Sequence, residues 1–107
     1  MTSYKIIFYV PASHLEIVKS AVFDAGAGSQ GNYGQCCWQV LGEGQFRPLA
    51  GSTPFLGEQD GVESVQEYRV EFLCDEAFLA SAVAALISAH PYEEPAYDVI
   101  LRHQCSP

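Results

Sequence analysis

Tyr4-Lys5-Ile6-Ile7-Phe8-Tyr9-Val10-Pro11-Ala12-Ser13-His14-Leu15-Glu16 decides how this chain folds. Its first seven residues are β-branched and aromatic, and Pro11 ends the run, as expected of a strand. Ser13-His14-Leu15-Glu16 then has the form of a capping box, in which the Ser13 hydroxyl and the Glu16 carboxylate each satisfy an orphan amide of a starting helix. Leu15, Val18, Val22 and Ala25 recur at helical spacing, Ile17 and Ala21 widen the stripe, and Gly26 supplies a left-handed stop. Both sides of the strand are apolar, Ile6 and Phe8 on one and Ile7 and Tyr9 on the other. Its sheet is therefore expected to be covered on both faces, one by helices and the other by a second subunit.

Outward from this unit, Gly26 to Gly34 is a turn rich in Gly, Ser and Asn, and it leads to a second strand expected at Gln35–Leu41. Residues 42–64 have little periodicity and many glycines and prolines. They are expected to form one long loop, whose Phe46, Leu49, Phe55 and Leu56 argue for packing on the domain or on a neighbouring subunit. Val65–Cys74 alternates, with Val65, Glu67, Arg69 and Glu71 against Tyr68, Val70 and Phe72, the pattern of a strand with one wet face. Asp75–His90 reads as a second helix with Phe78, Leu79, Ala82, Val83, Leu86 and Ile87 inward. His90-Pro91 ends it, and Ala96–Arg102 is the fourth strand. The order β-α-β-β-α-β predicts one α+β domain over residues 1–107. It is a ferredoxin-like sandwich, a four-stranded antiparallel sheet with both helices on one face.

The 107 residues can hold one core without staples. The formal charge of −8 comes from 13 acidic against five scattered basic residues, so no basic stripe exists to neutralise phosphates and nucleic acid is not expected as a partner. No window approaches the roughly 18 apolar residues of a membrane span. The N-terminal run lacks a basic leader and meets Pro11 too early for a signal peptide, which points to the cytoplasm. Cys36, Cys37 and Cys74 are expected as buried or half-buried thiols, and Cys105 on a tail.

The densest chemistry lies in His90-Pro91-Tyr92-Glu93-Glu94-Pro95-Ala96-Tyr97-Asp98, where two prolines stiffen a segment bearing an imidazole, a phenol and carboxylates. Imidazole and carboxylate together suit zinc, copper or manganese. The plain alternative is a histidine capping a helix end beside solvated glutamates. No serine sits in a nucleophile elbow, and the glycines of residues 26–31 follow a helix instead of opening one, so neither hydrolase nor phosphate-loop chemistry is indicated.

Several motifs occur in order: Gly31-Asn32-Tyr33, Gly42-Glu43-Gly44-Gln45-Phe46-Arg47-Pro48, Pro54-Phe55-Leu56-Gly57, Glu63 followed by Val65-Gln66-Glu67 and Arg69-Val70-Glu71, and the His90–Asp98 segment. Together they resemble the domain inserted in the NGG-one-interacting factor three family (the YqfO-like proteins), a domain similar to the PII and CutA proteins. The resemblance implies a PII/CutA-like fold, assembly as a homo-oligomer (a trimer), and a regulatory or ion-binding role. CutA proteins carry a His-Pro-Tyr-Glu segment like His90 to Glu93, and the 42–57 stretch stands where PII proteins carry a signalling loop. The family's dinuclear-metal sites lie in flanking halves outside the resemblance, so their hydrolase-like chemistry is not expected here and the domain is expected not to be an enzyme.

The expectation is therefore an oligomeric regulatory or sensing module that binds a small ligand, a divalent cation such as zinc or copper, at an intersubunit cleft. The expected ligands are His90 and Glu93, with Glu94 and Cys36 as further candidates. Tyr92, Tyr97, Asp98, Tyr33, Phe46 and Phe55 are expected at the ligand or subunit interface. The rival is a protein–protein adaptor without ligand, in which the His-Pro-Tyr-Glu segment is structural and Tyr92 and Tyr97 anchor the interface.

Overall fold

A computed structural model describes residues 2–103. Cys105 lies outside them. The elements run β1 (Ser3–Pro11), a 3-10 turn (Ala12–His14), α1 (Leu15–Asp24), β2 (Trp38–Phe46), β3 (Glu63–Asp75), α2 (Glu76–Ala89) and β4 (Tyr97–Leu101). The strands form one sheet in the order β2-β3-β1-β4, antiparallel at every pairing. This is the ferredoxin-like βαββαβ arrangement.

The apolar alternation of β1 settles which face meets the helices. Ile6, Phe8 and Val10 are fully buried and pack with Val18 and Val22 of α1, Ala82 and Leu86 of α2, and Val70 and Phe72 of β3. Phe8 and Phe72 meet edge to face at 5.9 Å between ring centres. The helix stripes are narrower than expected. Ile17, Phe78 and Ile87 are each about half exposed, because two helices side by side on one sheet each present only one flank to it. Gly26 is left-handed as expected, with φ 108°, and the Phe78 ring fills the space a β-carbon there would need.

Among the described residues no layer covers the opposite sheet face. Pairing places Trp38 opposite Glu71, Glu71 opposite Ile7, and Lys5 opposite Leu73 and Ile100. In the middle of this face Glu71 accepts from Lys5 at 2.9 Å and from Arg69 at 3.1 Å. The Lys5 hydrogen bond holds the Glu71 carboxyl below its ordinary range. Around that charge cluster Trp38, Val40 and Ile100 are 59%, 44% and 48% exposed.

Two local expectations fail. The capping box does not form: Ser13 Oγ pairs with His14 Nδ1 at 2.9 Å, and no side chain caps α1, because the 3-10 turn puts His14 at the cap position. The second strand is displaced, and the expected loop of 42–64 shrinks to 47–62. Gly42 and Gly44 lie inside β2, opposite Glu67 and Val65. Glycine is tolerated there because β2 is an edge strand, and at Gly44 the space a β-carbon would take is filled by the movable end of the Glu67 side chain.

This longer pairing has a consequence for shape. β1 ends opposite Glu67, so Glu63 to Gln66 of β3 pair with β2 alone and form an arm projecting beyond the core. The molecule measures 51 × 24 × 24 Å. At the other end the chain enters and leaves together: the Arg102 amide donates to the Ser3 carbonyl and its guanidinium to Ser3 Oγ, both at 3.0 Å. Among the described residues no helix is long and apolar enough to cross a membrane.

Candidate functional site

Three pieces of chain meet at the base of the arm: the end of β2, the 47–62 loop and the 90–98 segment. They enclose a cavity of about 470 Å³. Tyr9 of β1, Gly44 and Phe46 of β2, and Glu67 of β3 contribute from the sheet, and by register they belong to its uncovered face. The cavity therefore opens where that face meets the arm.

His90 anchors this end to the core. It is 6% exposed, and its Nε2 lies 2.6 Å from the Tyr9 carbonyl oxygen. A carbonyl can only accept, so Nε2 carries the proton. The Tyr92 amide, which can only donate, reaches Nδ1 at 3.1 Å. The two bonds fix a neutral imidazole in a single tautomer, and burial pushes its pKa below the ordinary value. The ring also stands 6.4 Å from Phe8, edge to face.

From that anchor Tyr92 extends into the cavity wall. Its ring lies 6.2 Å from Phe46 and 6.5 Å from Phe55, both tilted, and Phe55 in turn meets His14 at 5.3 Å. The Tyr92 hydroxyl donates to Glu67 Oε2 at 2.7 Å. Burial first, and this bond second, push the phenol well above its usual range. Across the cavity, Glu93 Oε1 accepts from the Thr53 amide at 2.9 Å, tying the loop to the segment.

The expected residues are thus partly brought together. Tyr92, Glu93, Glu94, Phe46 and Phe55 all line the cavity. Tyr33, Cys36, Tyr97 and Asp98 are not among its lining residues. Tyr33 is 76% exposed in the turn before β2, where it pairs with Gln30, and Cys36 makes a weak bond to the Gly34 carbonyl. The expected metal set of His90, Glu93, Glu94 and Cys36 does not assemble. Both imidazole nitrogens are spent on the backbone, and among the described residues no group of three or more His, Cys, Asp or Glu converges on one point. A divalent cation does not fit these residues.

Two further carboxylates line the cavity, Glu43 and Glu67, which stand out in the sequence only as motif and strand positions. Glu67 pairs with Gly42 and lays its carboxylate over Gly44, a neighbourhood that appears only once β2 is extended through its glycines.

Comparison with known proteins agrees with this fold. No protein-family model matches the chain. A Mycobacterium leprae protein named GTP cyclohydrolase 1 type 2 homolog is 45% identical over 89% of the chain, and a Halalkalibacterium halodurans protein of the same name is 44% identical over 90%. The chain spans about a quarter of the length of these curated relatives (25% and 26%). Among solved structures, a Bacillus cereus protein related to NIF3 superposes with a TM-score of 0.82 at 36% identity, over 96% of this chain and 26% of that one. The periplasmic divalent cation tolerance protein CutA of Archaeoglobus fulgidus shares the fold at 13% identity, with a TM-score of 0.67, over 97% of this chain and 87% of its own. The Bacillus subtilis GlnK–ATP complex shares it at 9% identity, with a TM-score of 0.63, over 94% and 82%. The fold is that of the CutA and PII-like proteins, and proteins named GTP cyclohydrolase 1 type 2 homologs match nearly the whole of this chain with a quarter of theirs.

Proposed function

We propose that this chain is a non-catalytic, homo-oligomeric regulatory or sensing module whose small ligand occupies the cavity at the base of the arm. The observation that carries the reading is the cavity itself. Its volume of about 470 Å³ is of small-molecule size, and its walls combine an aromatic group, Phe46, Phe55 and Tyr92, with a few oriented polar atoms. The uncovered sheet face supports assembly, since Trp38, Val40 and Ile100 leave apolar surface around a central charge cluster. A second copy seated on that face would border the cavity, so that ligand binding and assembly would be coupled. The likeness to CutA and PII-like folds supports the same reading, with a trimer as the expected assembly.

Sedimentation velocity tests the assembly. The expected result is a mass of several chains, reduced to one by Trp38→Glu combined with Ile100→Glu; a wild-type protein that sediments as one chain at every concentration would overturn it. The ligand is tested by a fragment screen observed by NMR. Saturable shifts at Phe46, Phe55 and Tyr92 are expected, and fragments bound only elsewhere would remove the cavity from the proposal.

A further inference from the structure

Taking the cavity as the ligand site, as just proposed, we infer that it receives a small organic cation, an ammonium group carried on an apolar or aromatic body. Four carboxylates line it, Glu43, Glu67, Glu93 and Glu94, and among the described residues lining it there is no Lys, Arg or His. Two of the four are oriented by the chain. Glu67 commits one oxygen to the Tyr92 hydroxyl and Glu93 one to the Thr53 amide, and among the described residues no hydrogen bond takes the second oxygen of either. Gly44 leaves room for the Glu67 carboxylate, whose Oε1 lies where a β-carbon would stand.

The other half of the lining answers to the other half of such a ligand. Tyr92 is flanked by Phe46 and Phe55, tilted against its ring at 6.2 and 6.5 Å, and all three line the cavity with their π-systems. Aromatic faces and carboxylates together select an ammonium carried on a carbon body, because the rings attract positive charge and shield the apolar part. A bare divalent ion lacks a converging ligand set here. An anion meets carboxylates on several sides, in a chain of formal charge −8. A neutral apolar ligand would displace water from the Glu67 and Glu93 carboxylates without replacing its hydrogen bonds.

The test titrates the whole chain, in its native assembly, with phenethylamine, choline, agmatine and spermidine, followed by calorimetry and by NMR. Phenethyl alcohol and phenylacetate serve as the uncharged and anionic counterparts of phenethylamine. At least one ammonium probe is expected to bind saturably and to shift Phe46, Phe55 and Tyr92. Phenethyl alcohol should bind about tenfold or more weakly than phenethylamine, the loss of one charge-assisted contact. Glu67→Gln and Glu93→Gln should each weaken the cation and leave the alcohol unchanged, with the circular dichroism spectrum of the wild type. Phenethyl alcohol or phenylacetate binding at the same residues as tightly as phenethylamine would overturn the choice of a cation and leave the cavity standing as a ligand site. Absence of any shift in the cavity with all four cations would overturn this inference, while the mass measured by sedimentation would still decide the assembly on its own.

Discussion

The two ends of this sheet are held by different forces. At the helix-covered end, Ile6, Phe8 and Val10 are sealed from water among Val18, Val22, Val70, Ala82 and Leu86, and close packing of apolar side chains does the holding. At the arm, β2 and β3 run on without β1 beside them or a helix beneath them. There a handful of polar contacts, Tyr92 to Glu67, Thr53 to Glu93 and His90 to Tyr9, fix three separate stretches around a cavity. The first end sets stability and tolerates little change in volume. The second can be rearranged at small cost, which is what a site that must admit and release a ligand needs.

The sharpest contrast comes from removing one ring at each end. Phe8→Ala should cost about 3–5 kcal/mol in denaturant-induced unfolding, and Phe55→Ala, already 48% exposed, about 1 kcal/mol. Equal losses would break the distinction between core and arm.

His90→Ala lies between the two ends and should cost about 2–3 kcal/mol, because it strands the part-buried Tyr9 carbonyl and the Tyr92 amide together. Hydrogen exchange should rise across residues 90–98 ahead of β1, and a uniform rise would mean that the ring is simply part of the core.

The same imidazole makes the junction sensitive to acid. Its folded pKa is depressed below the ordinary 6.5, so the unfolded chain binds the proton first as pH falls. The stability it contributes is complete above that value and is lost as pH drops through it toward the folded pKa. Comparing wild type with His90→Ala across this range should show the slope disappearing in the variant.

A smaller effect is expected at Gly44→Ala. The collision there is with the mobile end of Glu67, so stability should change by less than about 1 kcal/mol. The Tyr92 phenol should titrate at lower pH once its acceptor is displaced, yet remain above the ordinary phenol range because burial is the larger cause. An unmoved titration, read by ultraviolet absorbance, would show that Gly44 does not position Glu67. Smallest of all, Lys5→Ala on the uncovered face should cost less than about 1 kcal/mol in the separated chain, as surface ion pairs do.

The sequence was most readable at the core end and least readable at the arm. β1, both helices and the alternation of β3 follow from apolar periodicity, because burial against a single layer writes that period directly into the chain. β2 was misplaced because Gly42 and Gly44 look like loop residues, and only their pairing with Glu67 and Val65 explains them. The 90–98 segment stood out through its prolines, and Tyr92, Glu93 and Glu94 do line the cavity. Within the chain His90 spends both ring nitrogens on the backbone, since the residue type that suits a metal also suits a buried double hydrogen bond. Nothing local in a sequence tells the two apart: the Tyr9 carbonyl that decides it is 81 positions away.

The bonding of Arg102 to Ser3 carries a consequence of another kind. A unit whose first and last strands lie side by side, with their outer ends clasped, presents a single doorway to whatever chain adjoins it. Such a unit can be spliced into a surface loop of a host protein while holding the two halves of that loop no farther apart than neighbouring strands. The host's own core then feels almost no strain, and the inserted unit keeps its arm, cavity and open sheet face free at a distance from the splice.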